Sequence, residues 1–280
     1  MKHIRSICAT AILTAAILAG CVTPPATTGT PNSTPAATLP TAAPTVPPTE
    51  APTEAPTEAP TQPAPTSPTE ATKPEEGTAA YYLQVTYASQ VEGYRAALSQ
   101  QWDEAACTGH GVSPLLPQHY GSDPLANIGA GLVDLNNDGS LELIIGVVSA
   151  DEAQPLVLEI WSLVDGAPSM VAQSDAQNRY YLQYSQEDEA WYVALEITYS
   201  EDHHGLHDLF LQDGGLEVVQ AIVYHAAANP DAPWFMAYDK DMDTSNDEST
   251  QESIATAITE AIRKRYTAAD YTPFALLPQG

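Results

Sequence analysis

The folded part of this 280-residue chain is predicted to be an α+β domain, an antiparallel β meander covered by an N-terminal and a C-terminal helix. Three observations predict it. Eight apolar, β-branched runs follow one another between residues 127 and 224, separated by short turn sequences. A stripe of large apolar residues at helical spacing precedes them, and a second such stripe follows. One face of a meander has to be covered, and two amphipathic helices can cover it.

The first helix is expected from Tyr81 to Trp102, because Leu83, Tyr87, Val91, Tyr94, Leu98 and Trp102 fall on one helical face. An irregular stretch rich in Gly and Pro follows, from Gly109 to Pro124. Residues 127–133 and 141–148 are apolar enough to be buried strands. Further strands are expected at 156–164, 169–174, 179–185, 190–199, 206–212 and 215–224. Asp165-Gly166, Glu187-Asp188-Glu189, His204-Gly205 and Asp213-Gly214-Gly215 separate them, which makes neighbours hairpin-linked and antiparallel. Trp191, Val193, Leu195, Ile197 and Tyr199 alternate with more polar residues, the pattern of a half-buried strand. The last helix is expected near 250–266, with Ile254, Ile258, Ala261 and Ile262 in register and Ser249 and Glu252 spaced as a capping box. Arg263, Lys264 and Arg265 would complement the dipole of its last turn.

Ahead of this domain lie two segments that cannot join its core. Residues 1–20 carry Lys2 and Arg5, then an apolar stretch too short to cross a bilayer, and run into Leu18-Ala19-Gly20-Cys21. That ending resembles the lipobox of bacterial lipoprotein signal peptides. The resemblance implies cleavage before Cys21, a diacylglycerol thioether on that cysteine, and attachment at the extracytoplasmic face of the bacterial cell membrane. Residues 21–78 are Thr, Pro, Ala and Glu, with the repeat Thr-Glu-Ala-Pro running from Thr49 to Pro60. Such a composition cannot offset chain entropy and favours extended polyproline II, a stalk reaching on the order of 150 Å at about 3.1 Å per residue. Its Thr residues are also suited to carry sugars.

Residues 79–280 form the third segment, long enough for one well-buried domain. They hold thirty Asp and Glu against six Lys and Arg, within a chain of net charge −27. That field repels nucleic acid phosphate and draws cations and cationic partners, so nucleic-acid binding is excluded. Cys107 is the only cysteine left after Cys8 and Cys21 are accounted for, so no intramolecular disulfide forms in the mature chain. It reads as a small buried residue.

Chemistry is concentrated in Asp134-Leu-Asn136-Asn-Asp138-Gly139-Ser140-Leu-Glu142. Side-chain oxygens at Asp134, Asn136 and Asp138, a turn at Gly139, the Ser140 carbonyl and the Glu142 carboxylate can wrap a hard cation, with Ca²⁺ the natural choice. Ile145 stands where an EF-hand needs a bidentate Glu, and the following Leu143 to Val148 reads as a strand. Leu132 to Val148 resembles instead the calcium loops of FG-GAP and VCBS-type repeats, although one copy cannot build a propeller. The same residues also suit an Asn/Asp-Gly hairpin turn that binds nothing. Lipobox, stalk, helix, acidic loop and meander together look like a group of uncharacterised cell-surface lipoproteins of Gram-positive anaerobes, a resemblance that implies no activity.

Other clusters are weaker. Residues 241–252 approach EF-hand spacing but place Glu248 where such loops are apolar. His203, His204 and His207 surround Gly205 and read as solvated turn histidines. Tyr180, Tyr181, Tyr184, Trp191, Tyr192 and Trp234 suit either a sugar-stacking platform or cross-strand packing. No nucleophile elbow, P-loop or dinucleotide fingerprint occurs. The sequence thus leads to a lipid-anchored, non-enzymatic surface module with one structural Ca²⁺ and a cell-wall, glycan or protein ligand. The alternative is an exported hydrolase acting on envelope polymer or glycan.

Overall fold

The computed structural model describes residues 73–148 and 155–278, so residues 1–20, Cys21 and nearly all of the Thr/Pro-rich segment lie outside the described residues. The helical region at the start of the domain is interrupted. A short α1 (Ala79–Tyr81), capped by Thr78, runs into a π-helical turn at Tyr82–Thr86 and then into α2 (Ala88–Gln100). Tyr87, Val91, Tyr94 and Leu98 are buried along one side, as their spacing predicts. Gln101 adopts a left-handed conformation and ends α2. Two short helices follow, α3 (Glu104–Gly109) and α4 (Pro124–Asn127), whose first turns are capped by the carboxylates of Asp103 and Asp123.

The strands are β1 (Ile128–Val133), β2 (Glu142–Val147), β3 (Leu156–Val164), β4 (Ala167–Gln173), β5 (Asn178–Ser185), β6 (Ala190–Ser200), β7 (His203–Gln212) and β8 (Gly215–His225). Three more escape the sequence reading: β9 (Trp234–Ala237), β10 (Glu248–Ser249) and β11 (Thr272–Pro273). Between the last two lies α5 (Glu252–Arg263). All eleven strands join one antiparallel sheet in the order β10-β9-β8-β7-β6-β5-β3-β2-β1-β11, with β4 pairing β3 off this path.

The expected fold class, an α+β meander covered by an N-terminal and a C-terminal helix, is therefore corrected. The domain is dominated by a large antiparallel sheet with few helices. β2 shows why the simpler picture fails, since all six of its residues are buried and both its faces need cover. On one face, α2 and Ile262 of α5 pack with Ile128, Leu143, Ile145, Leu158 and Leu206. On the other, Ile144, Ile160, Leu182, Val193, Leu209 and Leu211 form a core without a helix. β4 closes it: β4 and β5 share the same edge of β3, β5 at Leu156–Val157 and β4 from Glu159 to Val164, and β4 comes to lie against β8.

The chain after α5 fills what β4 leaves open. Gln183 bridges Tyr266, and the Thr267 N–H donates to Leu182 O at 2.9 Å, so this segment takes over the free edge of β5. It then crosses β1 and β2 before β11 pairs β1. Tyr271 lies so close to β2 that a Cβ on Gly146 would collide with its hydroxyl and ring. A glycine is required there by proximity. Two further details differ from expectation. Ser249 belongs to β10 and the N-cap of α5 is Gln251, which makes no side-chain cap. Arg263 and Arg265 reach carboxylates on β6 and β7 rather than serving the helix terminus alone.

Candidate functional site

The acidic loop joins β1 to β2 and is wound by its own side chains. Asp134 accepts the Asp138 N–H at Oδ1 (3.1 Å) and the Gly139 N–H at Oδ2 (3.0 Å). Asn136 Oδ1 accepts the Asp138 N–H at 3.2 Å, and Asp138 Oδ1 accepts the Ser140 N–H at 2.7 Å. Asn137 and Gly139 take positive φ angles of 55° and 88°, the backbone cost of so tight a turn. Glu142 is fully buried, its Oε2 accepting the Leu135 N–H at 2.8 Å and its Oε1 the Ser162 hydroxyl at 3.0 Å. Burial pushes its carboxyl upward, the two hydrogen bonds oppose this, and the charges of Asp138 and Asp134 add to the rise. For Asp138, burial is outweighed by the Ser140 and Asn136 hydrogen bonds, and its carboxyl is held below the usual range.

The donor set is all oxygen, and each oxygen named here keeps a lone pair beyond its hydrogen bond, which fits a hard cation such as Ca²⁺. Among the described residues no three His, Cys, Asp or Glu side chains converge as a metal site, and the carboxylates of Asp134, Asp138 and Glu142 are turned to backbone N–H groups and the Ser162 hydroxyl instead. Asp134, Asn136, Asp138 and Glu142 are the side chains that would hold the ion, with the Ser140 carbonyl. Beside the loop, a cavity of about 520 Å³ is lined by Asn136, Asp138, Asp165, Gln212 and Asp213. Asp165 and Asp213 enter it from the hairpin turns β3–β4 and β7–β8, which touch where Gly214 meets Val164. Both had been readable as turn residues and neither as part of a site.

The three histidines are strand residues, not turn residues, because β7 begins at His203 and the turn is Glu201–Asp202. His207 is fully buried, and neither ring nitrogen makes a hydrogen bond among the described residues. Burial lowers its pKa, against the pull of the Asp241 carbonyl and the Asp239 and Asp241 carboxylates. It lines a cleft of about 380 Å³ together with Tyr180, Leu195, Ile197 and Lys240. His203 stacks on His225 with ring centroids 3.9 Å apart. The weaker acidic stretch does not form one loop: Asp243 caps a short 3-10 turn at Thr244–Asn246, and β10 follows.

Register creates a further arrangement. Thr198 pairs His204, His204 pairs Tyr224, and Tyr224 pairs Trp234, so four strands align these residues in one row on one face. The His204 and Tyr224 rings stack at 5.0 Å, and Trp234 meets Tyr224 at 4.9 Å and His204 edge-on at 6.1 Å. Next to the row, α5 bounds a groove of about 140 Å³ lined by Glu196, Thr198, His204, Trp234, Thr259 and Arg263. Arg263 Nε donates to Glu196 Oε1 at 2.9 Å, and the Tyr266 hydroxyl donates to the same oxygen at 3.2 Å. Of the expected aromatic platform only Trp234 is here. Tyr181 is buried on Tyr266, Tyr184 packs with Trp191, Tyr192 lies beside Phe210, and Tyr180 lines the His207 cleft.

Comparison with protein-family models, with curated proteins and with solved structures finds no match for this chain.

Proposed function

We propose that this protein is a lipid-anchored, extracytoplasmic surface protein whose β-sheet domain is a non-enzymatic binding module with one structural Ca²⁺. The observation that carries the binding role is the row Thr198–His204–Tyr224–Trp234, a partly exposed aromatic face bordered by a groove. Partly exposed aromatics with polar edges are typical recognition surfaces, because they give large contact area with little side-chain entropy to lose. Cys21 supplies the anchor, and residues 22–78 hold the domain away from the membrane. The cation would tie β1 to β2 by neutralising Asp134, Asp138 and Glu142.

The test has two parts. Cells expressing Cys21→Ala are fractionated, and the variant is expected in the medium or unprocessed, whereas wild type sediments with membranes. The chain from Val22 onward is then incubated with whole cells and isolated wall polymer. Saturable binding without release of soluble sugar supports the module, and turnover of polymer would replace it with the hydrolase.

A further inference from the structure

We infer that the groove between the aromatic row and α5 is a saccharide site that takes one pyranose unit of a neutral glycan. The inference rests on the binding-module reading and adds the chemistry of its ligand. A pyranose with equatorial substituents has two unlike surfaces, a flat apolar C–H face and an edge of neighbouring hydroxyls. The groove offers both counterparts. Trp234 and His204 line it with ring surface; the two meet edge-on, His204 stacks on Tyr224, and Trp234 meets Tyr224 edge-to-face.

The other lining is polar. Glu196 and Arg263 are joined by a 2.9 Å bond, Tyr266 donates to the same oxygen, and only Glu196 Oε1 is used. Glu196 Oε2 and both terminal guanidinium nitrogens of Arg263 keep their capacity among the described residues. An acceptor and donors on one edge match a pair of adjacent hydroxyls, each of which both gives and takes a hydrogen bond. His204 adds Nε2, since its Nδ1 is engaged with Glu201 O at 3.2 Å. Thr259 lines the same groove.

Charge selects neutral sugars. Arg263 is already neutralised by Glu196, and a chain of net charge −27 repels polyanionic glycans. The volume of about 140 Å³ limits deep recognition to one ring, so a longer chain would run along the row with only one unit seated.

The experiment titrates the chain from Val22 with cellopentaose and chitopentaose, with polygalacturonate as the anionic comparator, following tryptophan fluorescence and calorimetry. Saturable binding of a neutral oligosaccharide, weakened at least tenfold by Trp234→Ala and by Arg263→Ala, is expected. Because Trp234 also packs in the sheet, Thr198→Arg serves as the second variant. It fills the groove from an exposed position, and should abolish binding while the melting temperature stays that of wild type. Failure of both neutral oligosaccharides to bind at millimolar concentration overturns the saccharide assignment, as does stronger binding of polygalacturonate. If cell binding nevertheless persists and is lost in Thr198→Arg, the module reading stands with a different ligand. If Thr198→Arg leaves cell binding intact, the face itself is wrong and both fall.

Discussion

Arg265 Nη2 lies 2.7 Å from Asp208 Oδ2, and this pair ties the segment that follows α5 to the middle of β7. The Asp208 side chain is 2% exposed and that of Arg265 29%, so the carboxylate is buried and its cation is largely so. Gln183 donates to the other oxygen at 3.0 Å, and the Arg265 guanidinium rests over the Tyr192 ring. The pair stands where the C-terminal segment takes the edge of β5 beyond its short pairing with β3.

Arg265→Ala is accordingly expected to destabilise the domain by about 3 kcal/mol, because it leaves a buried carboxylate with amide partners only. Asp208→Asn, which removes the charge but keeps an acceptor for Gln183, should cost less. Urea unfolding of both variants and of the double variant measures the coupling. Equal and additive losses would mean that the two groups act independently of each other.

Close approach gives a second expectation. Gly146→Ala places a methyl into the Tyr271 ring, and overpacking of this kind costs roughly 1–3 kcal/mol. Tyr271→Phe should be neutral or slightly stabilising, since the hydroxyl is buried without a hydrogen bond among the described residues. Thermal melts of the two single variants suffice. A tolerated Gly146→Ala would show that the C-terminal segment does not press on β2.

These two sites mark the limit of what was legible. The first eight strands were readable because apolar, β-branched runs, alternating in the Trp191–Tyr199 strand, were broken by Asp165-Gly166, Asp213-Gly214 and similar turns. The second cover of the sheet was not, because Arg265 to Pro273 has no alternation and acts through single contacts with Asp208, Gly146 and Gln183. His-His-Gly in β7 looked like a turn because Gly and His are weak strand formers, but pairing on both edges overrides that local preference. The acidic loop was legible as a motif. The aromatic row was not, since a register slip of one residue would have turned His204 and Tyr224 to the other face.

His207 makes stability pH-dependent. Its pKa in the folded state lies below the ordinary 6.5, so the unfolded chain takes up this proton first as pH falls. Stability is full above about pH 6.5 and declines as pH drops toward the folded value, by at most about 1.4 kcal/mol per pH unit. Asp239, Asp241 and Lys240 are the charged groups nearby. Glu142 and Glu159 have raised pKa values and act in the opposite sense, gaining stability as pH falls through the window above 4.5. The measurement is therefore the difference between wild type and His207→Gln in melting temperature from pH 7.5 to 5. A difference that does not change with pH would mean that His207 charges as readily folded as unfolded.

Calcium should act through the β1–β2 loop. With Ile145 where a bidentate carboxylate would stand, the site is expected to be of the weak extracellular kind, with a dissociation constant on the order of 10⁻⁴ M. At millimolar Ca²⁺, linkage then contributes about 1.4 kcal/mol, which raises the melting temperature by a few degrees in a domain this size. Asp138→Ala should remove that increment, and Asp241→Ala, in a stretch divided between a 3-10 turn and β10, should leave it intact. Glu142→Gln separates charge from shape. Its carboxyl is buried and raised, so the amide relieves a desolvated charge while keeping one acceptor for Leu135 or Ser162. The metal-free variant should melt no lower than wild type, yet gain nothing from Ca²⁺. Calorimetry after chelation, with Ca²⁺ restored stepwise, distinguishes the cases, and a wild-type melting temperature indifferent to Ca²⁺ would leave the loop as a hairpin turn closed by its own carboxylates.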